Sequence, residues 1–241
     1  MSSRLAEQAV DAADGRFGLH ELLQRRLLFV TGKGGTGKTS LCAALALVAA
    51  RAKKTVCLAE TDPRSVFADV FGQPVEFKPR EVAPGISATN IDFLRALANY
   101  LGESVSAERV ISALLRNRLV RLFLDATPAA REMVVLHRIF QLTTRFDLVL
   151  VDLPASGHST TMLGTPQTAL RIFRVGPVRR RALEMQELLA DPRRCELLLV
   201  SLPEEMSVNE TLETYHRARH DLQINCAHVL INGLWQAVVP D

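Results

Sequence analysis

From residue 27 onward the chain alternates short, almost uninterrupted apolar runs with longer stretches of helical character. LLFVT at 27–31, TVCLAE at 55–60, DLVLVD at 147–152 and ELLLVSL at 196–202 have no polar face, and a fifth run spans 224–232. Strands apolar on both sides are those that helices cover on both sides, the signature of a parallel sheet. The pattern predicts an α/β fold with a mostly parallel central sheet and helices on both faces. Between the second and third runs, roughly 77–144, the periodicity becomes helical. Val110, Ile111, Leu114, Leu115, Leu119 and Leu122 share one face of a helix predicted over 106–125, with Arg109, Arg116, Arg118 and Arg121 on the rest. A second helix is predicted from Pro128 to about 145, proline being tolerated in a first turn. This small helical insert is a candidate lobe for partners. Residues 1–26 read as a polar, alanine-rich tail with a short helical turn at 20–26, ahead of one domain over 27–241.

Composition fits that picture without sharpening it. Of 241 residues, 48% are apolar and 23% charged, enough for a sizeable core and against global disorder. The net charge of +3 is too small to demand a nucleic-acid or lipid partner. Cys42, Cys57, Cys195 and Cys226 are widely spaced, form no C-x-x-C pair and sit in apolar runs, so buried free thiols in a reducing cytoplasm are expected. The longest apolar stretch, 41–50, is far short of the roughly 20 residues a membrane-spanning helix needs, and the first residues lack a signal-peptide core.

The chemistry is concentrated after the first strand, where GKGGTGKTS leads into the helix-forming LCAALALVAARA. Gly32, Lys38 and Thr39 satisfy G-x-x-x-x-G-K-[ST]. Such a loop turns its backbone N–H groups onto phosphate oxygens, and Gly34, Gly35 and Gly37 leave no Cβ in the way. The helix beginning there adds a positive N-terminal end. Gly32, Lys33, Gly34, Gly35, Thr36, Gly37, Lys38, Thr39 and Ser40 are therefore the predicted nucleotide cradle, with Lys38 on the β- and γ-phosphates and the Thr39 hydroxyl on Mg²⁺. A P-loop NTPase using ATP and Mg²⁺ is the expectation.

The GKGGxGKT form resembles the deviant Walker A box of the ParA, MinD and ArsA group, in which the extra lysine, here Lys33, reaches the nucleotide of a facing subunit. Four further segments are similar to one branch, the ArsA and tail-anchored-protein-targeting ATPases. Glu60, Thr61, Asp62 and Pro63, with Asp69 downstream, resemble switch I, and the resemblance implies that Asp62 orients or deprotonates the attacking water and lies beside the metal. The segment VDLPASGHSTTML at 151–163 ends an apolar strand in Asp152, as a Walker B carboxylate does, and its Pro154, Gly157 and His158 match switch II. Glu204 and Glu210-Thr211 resemble a P-E…E-T element, although Ser207 with Glu210 also reads as a plain helix capping box. Asn232, ending the last strand, resembles the adenine-reading position, where an amide both donates and accepts.

The resemblance implies an ATP-hydrolysing switch, slow without a partner, acting as a homodimer or as a heterodimer with a related ATPase, with a protein partner unspecified. Family members continue further past the last strand, so a non-catalytic nucleotide-binding subunit completed by a fuller homologue is the alternative. A small-molecule kinase and a DNA-partitioning ATPase are more distant rivals. The five methionines are scattered and no C-x-x-C zinc pair is present, against a carrier of membrane helices; no clustered thiolates point to arsenite. The densest basic cluster, Arg179-Arg180-Arg181 with Arg171 and Arg174 upstream, reads either as a solvated helix face or as a site for an acidic partner, lipid headgroups or DNA.

Overall fold

The structure, a computed structural model, describes residues 17–62, 64–102 and 128–235. The predicted tail, the helix at 106–125 and Pro63 lie outside the described residues. Among the described residues the order is α1 (Phe17–Gln24), β1 (Leu27–Gly32), α2 (Lys38–Arg51), β2 (Val56–Glu60), α3 (Val66–Phe71), β3 (Arg80–Ala83), β4 (Ile86–Asn90) and α4 (Phe93–Gly102). There follow α5 (Pro128–Leu142), β5 (Leu148–Asp152), α6 (Ser156–Leu163), α7 (Thr165–Ile172), α8 (Pro177–Ala190), β6 (Cys195–Ser201), α9 (Glu205–His216), a π-helical turn (Arg217–Asp221) and β7 (Val229–Ile231).

The seven strands form one sheet in the order β3-β4-β2-β5-β1-β6-β7, parallel throughout except for the antiparallel edge strand β3. Both faces are covered, as the apolar runs require. Along β1, Leu27 and Phe29 face one core with Val149, Val151, Leu197 and Leu199, closed by Leu136, Ile139 and Leu142 of α5 and by Met185 and Leu188 of α8. Leu28 and Val30 face the other, with Leu58, Leu150, Leu198 and Val200, closed by Cys42, Leu45, Ala46 and Ala49 of α2. All four cysteines are buried and free, and burial pushes the Cys57 and Cys226 thiols up to about 12, so none is a poised thiolate.

Three expectations are corrected. The span read as a mostly helical insert opens with a β-hairpin, β3 and β4, turning at Gly85 (φ 76°), and β4 joins the sheet beside β2. The last strand is three residues, Val229–Ile231, preceded by irregular chain with Gln223 at φ 56°. Ser207 is not a helix cap: α9 is capped at Glu204, and the Ser207 hydroxyl lies 3.1 Å from Ser201 Oγ and accepts from Leu202 N at 3.0 Å.

A fully buried carboxylate anchors α1. Glu196 on β6 accepts from Arg25 Nε at 3.1 Å and meets His228 Nδ1 at 2.6 Å, while Arg25 also pairs with Glu21 at 2.6 Å. Burying a carboxylate without such partners would be strongly unfavourable.

Candidate functional site: a phosphate loop and two switch segments

The C-terminal ends of β1, β2 and β5 lie side by side, where an α/β sheet gathers ligand chemistry. At the end of β1 the chain turns through a glycine loop into α2, whose N-cap is Gly37. Two glycines there are required by their surroundings. At Gly32 (φ 155°) a Cβ would stand 2.1 Å from the Val200 carbonyl oxygen, and at Gly37 (φ 91°) it would stand 2.5 Å from Asn232 Nδ2. Thr36 is buried and donates its hydroxyl to Lys33 O at 2.9 Å, closing the loop on itself. Lys38 Nζ donates to Gly32 O at 3.1 Å and Lys33 O at 3.0 Å, which keeps the ammonium at the loop. Gly34, Gly35 and Ser40 are exposed on it, and the Lys33 side chain is half-buried.

Directly below, Thr39 Oγ1 donates to Asp152 Oδ2 at 2.5 Å. The other carboxylate oxygen, Asp152 Oδ1, is buried without a hydrogen-bond partner. Burial is the main reason the Asp152 carboxyl sits above its ordinary range, and the nearby Asp62 charge pushes the same way; the Thr39 hydrogen bond and the Lys38 charge oppose it. A hydroxyl beside a carboxylate with one orphaned oxygen is a hard-oxygen donor set that suits Mg²⁺, which binds through few protein ligands and retains water.

The loop after β2 is held by the first residue of the switch I segment, to which the sequence assigned no role. Glu60, buried at the end of β2, accepts from Val66 N at 2.9 Å and Phe67 N at 3.2 Å and from the Ser65 hydroxyl. Asn90, at the end of β4, donates to Asp62 O at 2.8 Å. Asp62 is thereby fixed by its backbone while its side chain stays exposed. Asp69 is apart from this group, in an exposed pair with Arg64 at 2.9 Å.

The segment after β5 is fastened to the phosphate loop by Thr31. Its hydroxyl donates toward Pro154 O at 3.0 Å and Ser159 Oγ at 2.9 Å, and Ser159 in turn donates to Ser156 O at 2.8 Å. The start of α6 is also tied to α9 through a hydrogen bond from the Ser156 hydroxyl to Glu210. Gly157 opens the first turn of α6, and His158, largely exposed, has Nε2 4.0 Å from Glu132 Oε1 on α5. Asp62, Asn90, Glu132, Pro154 and His158 line one cleft of about 510 Å³. Asn232 is tied to the loop: Nδ2 donates to Thr36 O at 2.9 Å and Oδ1 accepts from Gly233 N at 2.9 Å. Thr31 and Asn90 carried no sequence motif; their only signal was position, at or beside the C-terminal end of a strand.

The sequence profile of the anion-transporting ATPases, ArsA, matches residues 25–181, which include the loop, Asp62, Asp152 and His158. The chain belongs to the ArsA ATPase family. Arsenical pump-driving ATPases of Escherichia coli and Acidiphilium multivorum are 30% and 29% identical to it over 231 residues, 86% of this chain and 39% of theirs. ATPase BagA of Mycobacterium tuberculosis is 27% identical over 221 residues, 86% of this chain and 64% of its own. The chain thus spans about two fifths of the length of the ArsA pump-driving ATPases it matches. Among the described residues, no helix is long and apolar enough to cross a membrane.

Proposed function

We propose that this ArsA-family chain is an ATP-binding and ATP-hydrolysing switch that works with Mg²⁺. The observation that carries the reading is the Thr39–Asp152 contact with its orphaned carboxylate oxygen, set under a glycine loop that already holds Lys38 at its mouth. Thr39 and Asp152 would hold the metal, with Asp62 beside it; when bound, Mg²⁺ neutralises phosphate charge. On nucleotide binding Lys38 exchanges the Gly32 and Lys33 carbonyls for the β- and γ-phosphates. A cation about 4 Å from a phosphate charge contributes about 4 kcal/mol at an effective dielectric near 20. The loop N–H groups from Gly34 to Ser40 complete the cradle.

Asp62 aims water at the γ-phosphorus, and the bond to the β-phosphate oxygen breaks, giving ADP and phosphate. Catalysis is positioning and electrostatics, with Glu60 and Asn90 keeping Asp62 in place. Release of phosphate loosens the segment holding Asp62 and the segment from Pro154 to His158, so the output is conformational. Lys33 serves the nucleotide of a facing subunit in an ATP-gated dimer that regulates or carries a protein partner, and Asn232 turns from Thr36 to the adenine edge. The proposed setting is cytoplasmic.

Light scattering of the purified chain with Mg²⁺ and ATP, with ADP and without nucleotide tests the dimer. A nucleotide-dependent doubling of mass, lost in Lys33→Ala, is expected; one mass in every state contradicts it.

A further inference from the structure

The basic cluster that the nucleotide chemistry leaves unused takes on meaning from the turn it surrounds. Residues 164–183 contain Arg171, Arg174, Arg179, Arg180 and Arg181 and no carboxylate. The turn between α7 and α8 carries three apolar side chains in solvent: Ile172 is 65% exposed, Phe173 43% and Val175 83%. Isolated exposed apolar residues are ordinary, but a contiguous set rimmed by one sign of charge marks an interaction surface.

The turn is shaped. Phe173 N donates to Ala169 O at 2.8 Å, Gly176 adopts φ 98°, and Arg179 Nη1 reaches Leu170 O at 3.2 Å and Phe173 O at 3.3 Å. Arg181 is engaged elsewhere, 4.2 Å over the Tyr100 ring and 3.3 Å from its carbonyl. Arg171, Arg174 and Arg180 are exposed around the tip.

We propose that this turn docks on an anionic phospholipid surface, with Ile172, Phe173 and Val175 entering the headgroup boundary and Arg171, Arg174 and Arg180 meeting lipid phosphates. A protruding apolar tip with basic flanks supplies the two signals, apolar insertion and charge, that reversible peripheral binding combines. A nucleic acid would leave the aliphatic tip in contact with its charged backbone, and the turn offers no pair of aromatic rings for base stacking. An acidic protein would meet the arginines but would need its own pocket for an apolar tip this exposed. The proposal stands on this turn alone and is independent of ATP hydrolysis.

The test is co-sedimentation of the full chain, in low salt, with vesicles of phosphatidylcholine alone or containing phosphatidylglycerol at about one third, a composition rich enough to give a strong negative surface potential. Wild type is expected to bind the anionic vesicles and to release them as salt rises. Arg174→Glu with Arg180→Glu, and separately Ile172→Ser with Val175→Ser, are expected to weaken binding on the order of tenfold or more. Both pairs lie on the surface, and an unchanged melting temperature and circular dichroism spectrum will show that the fold is kept. Failure of wild type to bind anionic vesicles, equal binding by both variants, or salt-sensitive binding to duplex DNA in place of vesicles would overturn the proposal.

Discussion

Thr39 and Asp152 are 113 residues apart in sequence and 2.5 Å apart in space, the hydroxyl at the start of α2 donating to the carboxylate at the end of β5. The register of the sheet brings them together: Val30 of β1 pairs with Asp152, so the strand that feeds the glycine loop ends beside the strand that carries the carboxylate. One Asp152 oxygen is used and the other is buried and unpartnered. An orphaned buried acceptor costs about 1–3 kcal/mol, more when charged, and such a cost is tolerated where a ligand relieves it.

Adding Mg²⁺ with ADP at about 100 times Kd should therefore stabilise the protein by about 2.7 kcal/mol, a rise of roughly 5–10 °C in Tm for a chain of this size. In Asp152→Ala the nucleotide-dependent rise should lose its sensitivity to EDTA. Differential scanning fluorimetry with and without EDTA measures this; a variant that keeps the full Mg²⁺-dependent rise would remove Asp152 from the site.

Glu60 holds the loop that carries Asp62 through charge-assisted hydrogen bonds to Val66 N and Phe67 N and a hydrogen bond from the Ser65 hydroxyl. Glu60→Ala should cost about 2–3 kcal/mol of local stability and slow turnover more than it weakens nucleotide binding. Amide hydrogen exchange at Val66 and Phe67 should accelerate while the β1 amides stay protected. Uniform loss of protection across the sheet would show Glu60 to be a general core residue.

His228 makes stability depend on pH. Its hydrogen bond with the buried Glu196 raises its pKa above the ordinary 6.5, against the opposing effect of partial burial. A histidine whose folded pKa is raised binds its proton more tightly in the native state, so its stabilisation is complete below about pH 6.5 and is lost as pH rises through the folded value. Urea unfolding of wild type and His228→Gln should differ most at acid pH within this window and converge on the alkaline side. A gap that stays constant across the titration would show that the ring acts through packing alone.

The sheet was largely legible because its central strands are buried on both faces and leave no polar positions to confuse the pattern. β3 and β4 were not: Arg80, Glu81, Ser87, Thr89 and Asn90 break the apolar run, and the hairpin turn at Gly85 falls inside a segment whose later part is helical in period. Missing β4 hid Asn90, which sits on Asp62 only because β4 pairs with β2. The glycine loop, Asp62, Asp152 and His158 were visible as motifs, whereas Thr31 and Glu132 act by long-range contacts that no local spacing encodes, and the short-range grip of Glu60 on Val66 N and Phe67 N depends on the turn between them. Ser207 misled for a related reason. Its spacing to Glu210 fits a capping box, but the tertiary fold turns Ser207 to the end of β6 and Glu210 to Ser156.

Phosphate release from ATP by the purified chain with Mg²⁺, in wild type and Asp62→Asn, with nucleotide affinity measured on the same samples, tests the central claim most directly. The account predicts slow but measurable turnover in wild type, reduced at least about a hundredfold in Asp62→Asn with affinity nearly unchanged, as removal of a group acting only in the transition state requires. Tight ATP binding with no turnover in wild type, or turnover untouched by the substitution, would contradict it.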